Sequence, residues 1–167
     1  QNINEFGVNT YFLSKQKVKA FNQVLLNIEE IKKNRYSLKI LYIGARTEAE
    51  ILAMSLFGFN VHNIKAIDLY SYTSMIKIAD MHNIPFQDES FDLVIMTHCI
   101  AYSEEPMKAF KEAIRVSKGG GHIMFSVSTV QIEQSIEDKI PITGAKKILK
   151  LEDYLSILNS QDSIKNS

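Results

Sequence analysis

Leu38 to Ile43 is a short, nearly continuous apolar run that stops at Gly44. A strand wet on one face alternates apolar with polar residues, so a run without alternation belongs to a strand covered on both faces, as in parallel sheets flanked by helices. Ile64 to Leu69, Met75 to Ala79, Phe91 to Thr97 and Gly121 to Val127 read as four further strands. Amphipathic helices separate them. From Ser14 to Asn34, apolar residues fall at Val18, Phe21, Leu25 and Ile28 with helical spacing, with Lys32 and Lys33 well placed at the C-terminal end. Thr47-Glu48-Ala49-Glu50 has the spacing of a capping box, which predicts a helix from about Thr47 to Phe57, ended by Gly58. Ser103-Glu104-Glu105-Pro106 opens another, closing at Lys118-Gly119.

This order predicts an α/β fold: a Rossmann-like open, mostly parallel sheet with helices on both faces. A single domain over residues 1–167 is expected, with an N-terminal helix at about 14–34, a core at about 38–127 and a C-terminal segment at about 128–167. That last segment has Pro141 and Gly144, then a helix near Leu151 to Leu158, and no convincing strand after it. Two connections break the alternation. A parallel crossover ordinarily needs about a dozen residues, and only Tyr70 to Ser74 lie between the second and third strands, which counts against the third strand. Met81 to Ser90 carries Pro85 and a polar run and must cross as a loop.

Composition narrows the function. The 167 residues include 19 basic and 19 acidic side chains, so no overall positive field favours nucleic acid. No long uncharged apolar run is present for a bilayer span. The lone Cys99 allows no internal disulfide and fits a reducing, cytoplasmic setting. His62, His82, His98 and His122 lack metal-ligand spacing, so no metal is expected. Gln1 opens the chain without a signal-peptide pattern, and residues are expected to be missing from the start.

In an open parallel sheet, ligands bind beyond the carboxyl ends of the strands, where the strand order reverses. That rule selects Gly44 to Glu50, Asp68 to Tyr72, Asp80 to Ile84 and Thr97 to Ser103. Asp68 is placed to accept both hydroxyls of a ribose. Asp80 is placed to accept from the exocyclic amine of adenine, with Met81 or Ile84 against the ring. The competing reading is that both aspartates merely cap turns.

The stretch Ala79-Asp80-Met81-His82-Asn83-Ile84-Pro85-Phe86-Gln87-Asp88-Glu89-Ser90-Phe91-Asp92-Leu93-Val94, with Arg115-Val116-Ser117-Lys118-Gly119-Gly120, resembles the class I S-adenosylmethionine-dependent methyltransferases of the type 11 kind. The resemblance runs from about Leu38 to Val127. It implies that Asp68 holds the cofactor ribose, that Asp80 holds the adenine amine, and that Gly44 lets the backbone approach the methionine moiety. It also implies a sheet that would be minimal here, lacking the last two strands of the family. An edge left by their absence is expected to be covered by further chain or to pair with a second copy.

The chain departs from the family at the first loop, where an acidic residue and three alternating glycines are usual. Here stand Tyr42 and Gly44-Ala45-Arg46-Thr47-Glu48. The planar fork of Arg46 could take the methionyl carboxylate bidentately while Glu48 takes the ammonium. The bland alternative is a surface pair of Arg46 with Glu48 or Glu50. Thr97 closes the cofactor set.

His98 could serve as general base for a hydroxyl or amine acceptor, with Tyr102 lining the acceptor pocket. A buried His98 that only satisfies backbone groups is the competing reading. Cys99 reads as core. The leading expectation is methyl transfer from S-adenosylmethionine to a small-molecule oxygen or nitrogen, giving S-adenosylhomocysteine. Its rival is a non-catalytic binding or assembly module of the same fold that has lost cofactor affinity.

Overall fold

In the computed structural model, residues 21–126 are described. Their elements run α1 (Glu29–Asn34), β1 (Ile40–Ile43), α2 (Glu48–Ser55), β2 (Ile64–Asp68), β3 (Ile76–Ile78), β4 (Phe91–Thr97), α3 (Pro106–Val116) and β5 (Ser117–Ser126), with single 3-10 turns at Val61–Asn63 and Ile100–Tyr102. The strands form one sheet in the order β3-β2-β1-β4-β5, and every neighbouring pair is parallel. The architecture is the expected Rossmann-like α/β sheet, and it is not closed. Among the described residues no helix is long and apolar enough to cross a membrane. The expected helix near Leu151 to Leu158 and the cover of the β5 edge lie outside the described residues.

All four residues of β1 are buried, as an apolar run without alternation requires. Alternate side chains leave on opposite faces. Ile40 and Tyr42 join a cluster with Leu25, Ile31, Ile51, Met54 and Leu93. Leu41 and Ile43 join another with Val94, Met96, Phe110 and Val116. The sheet is thus packed on both sides, one layer carrying α1 and α2 and the other α3.

The N-terminal helix departs from the uniform period. Residues 21–25 are helical, the chain turns, and α1 begins after Ile28, whose backbone is extended. In a continuous helix, residues 25 and 31 would stand ~120° apart. The break lets both Leu25 and Ile31 reach the core, while Ile28, expected inside, is 38% exposed.

β3 exists, against the expectation from its short connection. Its three residues pair in register with Ala66, Ile67 and Asp68 of β2. The dozen-residue requirement assumes a helix in the crossover; here Leu69 to Met75 pass over as a loop, leaving Leu69, Tyr70 and Tyr72 exposed.

The predicted capping box does not form either. Thr47 is the N-cap of α2 but makes no side-chain cap bond, and the Glu50 carboxylate instead accepts from the Arg46 backbone N–H at 3.0 Å. Gly58, with φ +84, ends that helix as expected, its N–H donating to the Ser55 carbonyl and that of Phe59 to Met54.

α3 stops at Val116, earlier than expected, and β5 starts at once at Ser117 opposite Phe91. The register then slips, so that Leu93 meets His122, and the extra residues include Gly120 at φ +76.

The loop from β3 to β4 is held by Arg115 of α3. Its guanidinium donates to both oxygens of Glu112 at 2.7 Å each, to Asp88 Oδ1 at 2.6 Å, and to the carbonyls of Ile84 and Phe86 at 2.9 Å each. Glu112 Oε2 also accepts from the Ile84 N–H at 2.8 Å. Hydrogen bonds from Arg115 hold the Glu112 carboxyl below the usual carboxylate range, and the Glu112 and Asp88 carboxylates raise Arg115 above its usual value.

Candidate functional site

The chain runs outward from β1 to β2 and β3, then crosses to the other side of β1 to place β4, so the strand order reverses between β1 and β4. Ligands of open parallel sheets bind at such a point, beyond the carboxyl ends. Gly44 follows β1 there, Asp68 closes β2, Asp80 follows β3 and Thr97 closes β4. The four segments chosen from sequence meet on one rim.

Each aspartate both caps a turn and keeps an oxygen in hand. Asp68 Oδ1 accepts from the Tyr70 N–H at 3.1 Å, and Asp80 Oδ1 from the His82 N–H at 2.8 Å. In both residues Oδ2 has no hydrogen-bond partner among the described residues. The turn-cap reading and the ligand reading are therefore compatible. The His82 backbone N–H, and then its ring, hold the Asp80 carboxyl below the usual range, so it is an ionised acceptor at neutral pH.

Gly44 has φ +78, and a Cβ there would lie 2.5 Å from the Cys99 Cβ and 3.0 Å from its Sγ. The glycine is thus required first by the close passage of the β4–α3 connection. Cys99 packs at the edge of the core, as expected, and desolvation pushes its thiol up to about 12. Tyr42, standing where an acidic residue is usual in the resembling family, is buried, with its hydroxyl accepting from Thr97 Oγ1 at 3.1 Å. Burial and then the nearby Glu50 carboxylate push its pKa above the usual tyrosine range, so it stays neutral.

Arg46 is exposed on the first loop and Glu48 is exposed at the first residue of α2. Among the described residues the Arg46 guanidinium forms no ion pair, so the surface pair with Glu48 or Glu50 does not form. Met81 is partly buried against the α3 layer.

His98 is half-buried, and its φ of 56 makes it one of two non-glycine residues in the left-handed region among those described. Its N–H donates to the Ser126 carbonyl at 2.9 Å. Such backbone strain gathers at functional sites. Tyr102 is 57% exposed on the turn that follows.

Sequence reasoning missed His82. Its Nδ1 lies 2.6 Å from Asp80 Oδ1 and its Nε2 2.7 Å from Ser103 Oγ. Nothing in the spacing of residues 82 and 103 announces that contact; only the fold brings the two loops together.

The model of the methyltransferase domain family matches residues 42–125, about half of the chain, and the chain belongs to this family, the class I S-adenosylmethionine-dependent methyltransferases. Among curated proteins it is 40% identical over 80 residues to the biotin biosynthesis bifunctional protein BioHC of Teredinibacter turnerae, covering 48% of this chain and 14% of that one. It is 44% identical over 48 residues to malonyl-acyl-carrier protein O-methyltransferase of a Marinomonas species, covering 29% and 18%. With norajmaline N-methyltransferase of Rauvolfia serpentina it shares 34% identity over 74 residues, covering 44% and 25%. The matches thus span a quarter or less of these relatives.

Among solved structures, a SAM-dependent methyltransferase of Thermotoga maritima superposes with TM-score 0.64 at 18% identity, covering 95% of this chain and 76% of that one. The cyclase SpnF superposes with TM-score 0.62 at 18% identity, covering 85% and 57%. These two likenesses concern the fold alone.

Proposed function

We propose that this member of the methyltransferase domain family transfers the methyl group of S-adenosylmethionine to an oxygen or nitrogen of a small molecule, leaving S-adenosylhomocysteine. The observation that carries the reading is the pair of carboxylate oxygens without a hydrogen-bond partner among the described residues, Asp68 Oδ2 and Asp80 Oδ2, at the ends of adjacent strands on the rim where the strand order reverses. They suit the donors of a nucleoside: the ribose hydroxyls for Asp68 and an exocyclic amine for Asp80, with Met81 against the base. The names of the O- and N-methyltransferases among the relatives favour these acceptor atoms.

When bound, the cofactor supplies a methyl group on a sulfonium, and much of such a displacement is achieved by holding nucleophile and methyl in contact. The residues of this chain bind and orient. Gly44 and Thr97 frame the centre of the rim. Arg46, with no ion pair among the described residues, is the candidate for the methionyl carboxylate, and Glu48 for the ammonium. His98, held in a strained backbone, is the candidate to take the acceptor proton, with Tyr102 lining its approach. Cys99 as the sole cysteine suits a reducing, cytoplasmic setting.

Calorimetric titration tests the reading. The chain should bind S-adenosylhomocysteine more tightly than NAD, and Asp68→Ala and Asp80→Ala should each weaken binding by about tenfold or more, the loss of one hydrogen bond to a charged group. Absence of saturable binding up to millimolar cofactor would favour the non-catalytic module instead.

A further inference from the structure

Asp80 Oδ1 receives two hydrogen bonds from one residue, the His82 N–H at 2.8 Å and the ring Nδ1 at 2.6 Å. A carboxylate only accepts, so Nδ1 carries the hydrogen between them. The other ring nitrogen, Nε2, lies 2.7 Å from Ser103 Oγ, and the same hydroxyl oxygen accepts from the Glu105 N–H at 3.2 Å. The result is a chain of hydrogen bonds linking Glu105 N–H, Ser103, His82 and Asp80. It ties the β3–β4 loop to the β4–α3 connection across 21 residues of sequence. The histidine side chain is only 18% exposed, while that of Asp80 is 53% exposed.

We infer that His82 is a positioning residue for base recognition: it locks Asp80 so that Oδ2 alone is presented, and so makes the site select a 6-amino purine over a 6-oxo purine. This rests on the reading that Asp80 meets the cofactor's adenine. Turning the carboxylate plane away from the ring would give up the bond from Nδ1, and a half-turn only swaps two equivalent oxygens, so one oxygen faces the ligand in a direction fixed before it arrives. An amine donates to the presented oxygen. A 6-oxo group sets one acceptor against another and leaves both unsatisfied, the situation in which a site built for a hydrogen bond discriminates best. Without the ring, the carboxylate is held by the backbone N–H of residue 82 alone and turns more easily, and the loop loses its anchor at Ser103. Discrimination then falls, whatever happens to stability.

The test is calorimetry with S-adenosylhomocysteine and its 6-oxo counterpart, S-inosylhomocysteine, on the wild type and on His82→Phe, His82→Asn, Ser103→Ala and Asp80→Asn. The wild type should prefer the amino form by about tenfold or more. His82→Phe should cut that ratio severalfold, Ser103→Ala should cut it less, and His82→Asn, whose amide can replace Nδ1, should restore most of it. A residue that merely supports the fold would weaken both ligands alike, so an unchanged ratio in His82→Phe overturns the inference. Should His82→Phe fail to fold, a wild-type ratio in Ser103→Ala overturns it equally. In both cases a ratio lost in Asp80→Asn shows that the Asp80 reading survives. A wild type that binds neither ligand, or both equally, or an Asp80→Asn variant that keeps the preference, overturns that reading and this inference with it.

Discussion

Replacing Arg115 by alanine should unfold the protein more readily by about 3 kcal/mol. The figure follows from what the guanidinium holds. Two of its five hydrogen bonds form a bidentate pair with Glu112, whose side chain is 19% exposed, and two more satisfy the carbonyls of Ile84 and Phe86. Charge-assisted bonds contribute roughly 1.5 to 3 kcal/mol each where buried, and less where water competes. Arg115 is 30% exposed and the Asp88 side chain 74% exposed, so the contact with Asp88 adds little. For a domain of this size 3 kcal/mol lowers the melting temperature by roughly 6 to 12 °C. Urea unfolding at pH 7 gives the free energy directly, and Arg115→Lys should recover only part of it, since an ammonium cannot grip both carboxylate oxygens in one plane.

The pH dependence provides a second reading of the same contact. Glu112 titrates below its unfolded value because Arg115 bonds to its charged form. A carboxylate depressed in the folded state contributes stability above its unfolded pKa, about 4.3, and that contribution is lost as pH falls through the folded value. The gap between wild type and Arg115→Ala should therefore be full at pH 7 and close progressively below about pH 4. A variant within ~0.5 kcal/mol of wild type at pH 7, the range of ordinary surface substitutions, would refute the clamp.

Two other expectations test the rim. Gly44→Ala forces a Cβ to within 2.5 Å of Cys99 in a left-handed backbone, and should cost about 2 to 4 kcal/mol in urea unfolding, of which Cys99→Gly restores only the steric share. Cys99, its thiol pushed up to about 12, should resist a thiol reagent at pH 8 in the folded protein and react at once in denaturant, a clean signal because the chain has one cysteine.

The middle of the sheet was legible because its physics is local. β1 and β4 are apolar runs covered on both faces, and β4 was found with its limits intact, Phe91–Thr97. β3 was discounted because the crossover rule presumes a helix, whereas a loop suffices for three residues at an edge. The helix starts were found at Thr47 and Pro106, but the capping contact failed where a side chain had a choice: Glu50 has the spacing to reach back to its own N-cap, and takes the Arg46 N–H instead. Likewise the strand-end rule located Asp68 and Asp80 without any coordinates. It could not find Ser103 against His82, nor Arg115 against Ile84, Phe86 and Asp88, since those pairings exist only after residues far apart in sequence are folded together.

The brevity of β3 has a consequence for motion. Three ladder positions at a sheet margin are a small cooperative unit, and such units open at a fraction of the global unfolding free energy. The connection behind them is short, and loops of about ten residues close in roughly 10 to 100 ns, so the unit recloses quickly each time it frays. The margin that carries Asp80 therefore flickers while β1 and β4 stay shut. A ligand spanning Asp68 and Asp80 would stitch that margin to β2, and its arrival would be written as slowed amide exchange at Ile76–Ile78, with the central strands indifferent.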